Sequence, residues 1–273
     1  MTQDTLTKDI EVAREGAVLS AAFARPQKKN AITGAMYEAL IEAFDVAERD
    51  PEIGALVMSG NGGVFTAGND IGDFLAVALH ETGEFPAWRF VGKVAEFEKP
   101  LIAAIDGLAI GVGTTLCFHC DLVYATPETR FQMPFVNLGL VPEAGSSLLA
   151  PQRFGRARAS ELLLLAEPFG AERALELGLI NAVLPQSELM SHAMSKAAAL
   201  AAKPRAALLA TRRLMRGDPE VLKAQMAAEM HAFSAALKSP EAHAAFQAFL
   251  GRGESSDGLH PRRFRPEAQG RCY

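Results

Sequence analysis

The stretch that most constrains this chain runs from Lys99 to Ser147. Leu101 to Ile105 is an unbroken apolar run of strand length. Asp106-Gly107-Leu108-Ala109-Ile110-Gly111-Val112-Gly113-Thr114-Thr115 then turns through glycines into an apolar helix, expected from about Thr114. The N–H groups that open a helix have no intrahelical partner and sit at the positive end of its dipole. Such a turn is a place to hold developing negative charge.

An earlier loop offers a second such place. Val57 to Gly60 reads as the end of a strand, and Gly62-Gly63-Val64-Phe65-Thr66-Ala67-Gly68-Asn69-Asp70 follows as a loop whose small residues let a ligand come close to the backbone. Each loop can give one N–H to a single oxygen, which is how enzymes stabilise an oxyanion. Losing one donor typically costs about 3 kcal/mol of barrier.

Around these loops the chain alternates strands and helices. Ile10 to Arg14 and Val18 to Phe23 form a strand pair joined through Glu15-Gly16. Thr33 is the N-cap of a helix to about Arg49, with Met36, Leu40, Ile41 and Phe44 on its apolar face. Further strands are expected over Ile53 to Ser59, Asp121 to Ala125 and Leu179 to Leu184, and helices over Ala159 to Leu165 and Ala171 to Leu177. Repeated short βα units argue for a mainly parallel, layered α/β fold. From Gln186 to about Leu250 the pattern is almost entirely helical, broken at Lys203-Pro204, Gly217-Asp218-Pro219 and Ser239-Pro240. The chain thus divides into a core over 1–185, a C-terminal helical subdomain over 186–250 and a flexible tail over 251–273.

In Arg25-Pro26 with Asn30-Ala31, Phe65-Thr66-Ala67-Gly68-Asn69-Asp70, Lys99-Pro100 with Asp106-Gly107, Cys120-Asp121 and Leu138-Gly139-Leu140-Val141-Pro142, the sequence resembles the crotonase superfamily of enoyl-CoA hydratases and isomerases. The resemblance implies a crotonase-like ββα spiral for the core, with C-terminal helices that pack between subunits of a homotrimer or hexamer. It also implies an acyl-CoA thioester as substrate and no separate cofactor. It places the two oxyanion-holding amides on Ala67 and Val112, the latter where most relatives have glycine. Lys28, Lys29, Ala67, Asn69 and Asp70 fall beside coenzyme A, although a solvated loop is an equal reading of either lysine. Phe74, Phe135 and Leu140 fall on the acyl pocket.

Departures from the family pattern bear on the chemistry. Hydratases of the family use two glutamates, at positions that read here Thr115 and Phe135. Glu143 instead follows Pro142, in a segment resembling the one that carries the single catalytic glutamate of 3,2-enoyl-CoA isomerases. One carboxylate suffices to take a proton from C2 and return it to C4. The resemblance therefore implies conversion of 3-enoyl-CoA to 2-enoyl-CoA. The alternatives are a hydratase working without the usual glutamates, another enolate-forming acyl-CoA enzyme, and a non-catalytic acyl-CoA binder.

Opposing influences on Glu143 can be named. A helix starting near Ala144 lowers its pKa, while an apolar pocket of Leu140, Val141, Phe135 and Phe74 raises it. Desolvation is expected to prevail, because a base works best with its pKa near the operating pH. An acid facing a helix dipole without any catalysis is the other account of the same position.

Composition excludes several classes. A net charge of -5 gives no reason to expect nucleic acid as partner. No run approaches the roughly 20 apolar residues of a membrane span, and the first residues are not a charged start followed by an apolar block. A cytoplasmic location is expected. Cys117 and Cys120 form a C-x-x-C pair with no second pair for a metal, so they read as core thiols, with His119 a core or interface histidine. Gly111-Val112-Gly113 lacks the third glycine of a dinucleotide turn, where Leu116 stands. Gly145-Ser146-Ser147 is not the G-x-S-x-G of a serine hydrolase.

Overall fold

The computed structural model describes residues 7–72 and 86–254, with side chains to residue 248. Strands β1 (Ile10–Glu15) and β2 (Val18–Phe23) are followed by α1 (Gly34–Arg49), β3 (Ala55–Gly60), α2 (Pro86–Glu96), β4 (Leu101–Ile105), β5 (Leu108–Ile110) and the one-turn helix α3 (Val112–Thr115). Next come β6 (Leu122–Ala125), β7 (Arg130–Gln132), α4 (Ser146–Phe154), α5 (Arg156–Ser160), β8 (Phe169–Gly170), α6 (Ala171–Glu176) and β9 (Ala182–Val183). Four helices close the chain: α7 (Gln186–Ala201), α8 (Arg205–Arg216), α9 (Pro219–Leu237) and α10 (Pro240–Glu254).

Six strands form one sheet in the order β1-β2-β3-β4-β6-β9, parallel except where β1 meets β2. A smaller sheet holds β5, β7 and β8. The chain steps between them at Asp106-Gly107, where a Cβ on Gly107 would lie 2.1 Å from the Gly63 carbonyl oxygen. Only glycine fits that approach. The result is the crotonase-like ββα spiral with a C-terminal set of helices.

Differences from the sequence reading lie in the short elements. The helix expected from Thr114 opens at Val112, and β7 and β8 are too short to have left a pattern. The last helix runs to Glu254, past the point at residue 251 where the tail was expected to begin.

Strand β4 is buried on both faces, which is why it reads as continuous apolar sequence. Leu101, Ala103 and Ile105 pack in the main core with α1 and α2, while Ile102 and Ala104 pack with Leu189, Ala193 and Ala197 of α7. Thr33 caps α1 by accepting the Met36 N–H at 3.3 Å. At the other end of α1, buried Lys99 donates to the carbonyls of Ala47, Asp50 and Ile53, the last two at 2.7 Å. Phe44 of α1 meets the rings of Phe90 and Phe97 at 5.7 and 4.8 Å, an edge-on cluster that fixes α2 against it. Among the described residues no helix is long and apolar enough to cross a membrane.

Candidate active site

Asn30 stitches the first loop to the second. Its Nδ2 donates to the Asn61 and Val64 carbonyls at 3.0 and 2.6 Å, and its own carbonyl accepts the Thr66 hydroxyl at 2.7 Å. Residues 66–70 are thereby held between Ile32 and β5. On the β5 side, the Thr66 N–H donates to Leu108 at 2.8 Å and the Ile110 N–H to Thr66 at 3.0 Å. On the other, the Ile32 N–H donates to Gly68 at 2.8 Å and the Asp70 N–H to Ile32 at 2.9 Å.

These bonds decide which amides are free. The Ala67 N–H is donated to the Lys29 carbonyl at 2.9 Å, so the expected pairing of Ala67 with Val112 needs correction. Ile32 takes the Gly68 carbonyl and the Asp70 N–H, which turns the N–H of Asn69 away from Ile32. Thr66 lies opposite Ala109 in parallel register, so the segment that carries Asn69 and the one that leads to Val112 leave that bridge side by side. Val112 opens α3, while Thr114 and Thr115 return their N–H groups to Gly111. Among the described residues neither the Asn69 nor the Val112 N–H has an acceptor. The displacement, two residues from Ala67 to Asn69, has a tertiary source: the Lys29 carbonyl takes the Ala67 N–H and the bonds to Ile32 turn that of Asn69 away, which spacing along the chain does not encode.

Glu143 stands on the loop before α4 and is 7% exposed. Thr115, at the end of α3, donates its hydroxyl to Glu143 Oε1 at 2.5 Å. Burial pushes the carboxyl up to about 7, opposed by the Thr115 hydrogen bond and reinforced by the charge of Glu229. Desolvation prevails, as expected, but the helix is not what opposes it. Helix α4 begins at Ser146, and the Gly145 and Ser147 amides that open it turn to Glu229.

Residues 13–256 match the sequence model of the enoyl-CoA hydratase/isomerase family. The chain belongs to that family. It is similar to 2,3-dehydroadipyl-CoA hydratase of Escherichia coli K12, at 32% identity over 89% of this chain and 95% of the other. It is also similar to enoyl-CoA delta isomerase 2 of Rattus norvegicus, at 33% identity over 90% of this chain, and spans 64% of that longer protein. Among solved structures, OdaA of Pseudomonas aeruginosa shares the fold with a TM-score of 0.86 and 42% identity, over 90% of this chain and 100% of the other. As a member of the enoyl-CoA hydratase/isomerase family, the protein is an acyl-CoA enzyme.

Other expected site residues of this family member divide into several groups. Phe135 and Leu140 are buried in the same apolar cluster as Val112 and Ala144, while Phe74 lies outside the described residues. Lys28 and Lys29 are exposed, and the Lys29 carbonyl links their loop to Ala67. The Asp70 carboxylate pairs with Arg25 at 2.7 Å and ties residues 66–70 to the loop at Arg25.

Two partners escaped sequence reasoning. Tyr37 donates its hydroxyl to Asn69 Oδ1 at 2.5 Å, and its pKa is raised by burial and by the charge of Glu143. Glu229 is an acid in the middle of an alanine- and methionine-rich helix, a pattern that signals a solvated face rather than the buried position it takes. Cys117 and Cys120 are buried free thiols, and burial lowers the pKa of His119 to about 4. Among the described residues no group of three His, Cys, Asp or Glu is placed to hold a metal. A separate cleft of about 360 Å³, beside α7 and lined by Glu11, Ser59, Asp106 and Gln186, contains none of the groups around Glu143.

Proposed function

We propose that this protein is an acyl-CoA double-bond isomerase, converting a 3-enoyl-CoA to the conjugated 2-enoyl-CoA. Glu143 carries the reading: a buried carboxyl with a pKa pushed up to about 7, hydrogen-bonded to a threonine that cannot act as a second acid. The Glu143 carboxylate takes the proton from C2. The electron pair moves into a dienolate whose charge rests on the thioester oxygen, held by the N–H groups of Asn69 and Val112. The C4 carbon then takes the proton back from Glu143, which returns to its carboxylate. No electron is gained or lost, and coenzyme A enters as part of the substrate.

The rat relative is named as an enoyl-CoA delta isomerase, in keeping with this reading. The Escherichia coli relative is named as a hydratase, so water addition is the second reading. Assembly as a homotrimer or hexamer belongs to the proposal as well. Leu214 and Met215 of α8, 85% and 83% exposed, offer apolar surface for it.

Purified protein incubated with a 3-enoyl-CoA and, separately, with a 2-enoyl-CoA tests the reaction. Growth of conjugated-thioester absorbance without 3-hydroxyacyl-CoA supports the isomerase. Efficient hydration of the 2-enoyl-CoA overturns it, and binding with no exchange of C2 protons into solvent points to a binder.

A further inference from the structure

The backbone after Glu143 is imposed from outside. Ala144 and Gly145 follow it at φ +58° and +70°, both in the left-handed region. For alanine that conformation costs on the order of 1 kcal/mol and persists only where the surroundings over-determine it. Two side chains do so here. His119 places Nε2 2.8 Å from the Ala144 carbonyl oxygen. From α9, Glu229 accepts the N–H groups of Gly145 at 2.6 Å and Ser147 at 2.8 Å, together with the Ser147 hydroxyl. Gln225 completes the set by donating to that hydroxyl at 2.9 Å.

A helix N-terminus is ordinarily capped by a neighbouring serine, threonine, asparagine or aspartate, at no cost in buried charge. Here Ser146 turns its hydroxyl back to the Glu143 carbonyl at 2.6 Å, and the cap arrives from 84 residues along the chain. It is a carboxyl, 5% exposed, set near another buried carboxyl. Stability alone disfavours burying two like groups together.

We propose that Glu229 is a positioning residue for Glu143, fixing the turn that aims its carboxyl and setting a like charge beside it. The proposal rests on the reading of Glu143 as the base. A neighbouring negative charge disfavours ionisation, and the charge of Glu229 acts on Glu143 in that direction. The other groups facing the pair are the Thr115 hydroxyl from α3, the Tyr37 phenol from α1, and the His119 ring behind Ala144. Among the described residues no cation acts on Glu143.

Glu229→Gln in the full chain tests this. Titration of Glu143, followed by carbon NMR of side-chain-labelled glutamate and assigned by the signal lost in Glu143→Gln, is expected to shift down by about half a unit or more. With a 3-enoyl-CoA, kcat is expected to fall about tenfold or more while KM stays near the wild-type value. Glu229→Asp keeps the charge, so it holds the midpoint but lowers kcat because the shorter side chain withdraws from the amides. A lowered melting temperature with kcat and the Glu143 midpoint unmoved overturns the proposal and leaves Glu229 a structural cap. If the glutamine variant does not fold, Glu229→Asp decides: wild-type kcat overturns the proposal. Activity retained in Glu143→Gln overturns the base assignment instead, and the NMR midpoint then still reports on Glu229.

Discussion

Thr115 and Glu143 are joined by a 2.5 Å hydrogen bond, and this bond ties the helix that opens at Val112 to the loop that carries the carboxyl. A hydroxyl donating to the ionised form lowers the carboxyl's pKa, while burial raises it and prevails, leaving it at about 7. A base must be deprotonated in the free enzyme, so kcat/KM for a 3-enoyl-CoA is expected to rise with pH through about 7. Thr115→Val removes the opposing hydrogen bond. Its profile is expected to move to higher pH, with activity at neutral pH reduced. A pH profile of both proteins checks this, and an unmoved limb in the variant refutes the role of Thr115.

The same carboxyl should make the protein more stable in mild acid than in base. Its folded pKa of about 7 lies above the ordinary 4.5, so between those values the folded state binds more protons than the unfolded one. Stability therefore falls as pH rises through that window, and the penalty is complete above it. A shift of this size corresponds to about 3 kcal/mol. Glu143→Gln removes the penalty while keeping an oxygen to accept from Thr115. Its melting temperature is expected to exceed that of the wild type at about pH 8 and to converge with it near pH 4.5. Equal melting temperatures across the range would show that the carboxyl is solvated.

The Val112 amide can be deleted without deleting the helix. Val112 is the first residue of α3, a position where proline is tolerated because its missing N–H has no intrahelical role. Val112→Pro is expected to lower kcat by about a hundredfold or more, as loss of one oxyanion donor does elsewhere. Circular dichroism should stay near wild type, with a modest fall in melting temperature because the buried Val112 side chain is lost. Wild-type kcat in this variant would remove Val112 from the site.

How much of this was legible follows from particular residues. Long elements announced themselves: α1 by the apolar spacing of Met36, Leu40, Ile41 and Phe44, and β4 by an apolar run buried on both faces. Val112 and Glu143, the residues proposed here as oxyanion donor and base, stand in local patterns that a sequence shows, a glycine turn and an acid after proline. That the Asn69 N–H is left without an acceptor while that of Ala67 is taken is not legible in the sequence, because the direction of each amide depends on Lys29, Ile32 and β5, which lie far along the chain. Glu229 was missed because its partners are backbone amides more than 80 residues away, which no side-chain pattern encodes. Tyr37 fell on an apolar helix face, where only its hydroxyl distinguishes it from a core ring.

Lys99 offers the sharpest stability test, because its ammonium is buried and its partners are carbonyls rather than a carboxylate. Its side chain holds the C-terminal end of α1 through Ala47 and the turn beyond through Asp50 and Ile53. Lys99→Met fills similar space but supplies no donor, and a buried carbonyl left unpaired costs about 1–3 kcal/mol. Some of those carbonyls regain water as the turn relaxes, so the expected loss is about 3 kcal/mol in all. Urea unfolding should show a lower midpoint at an unchanged slope. Alanine at exposed Lys28 or Lys29 should move the same midpoint by no more than about 0.5 kcal/mol, whatever it does to the KM for an acyl-CoA. A Lys99→Met protein as stable as these two would mean that the turn after α1 is held by its own backbone, with Lys99 an incidental neighbour.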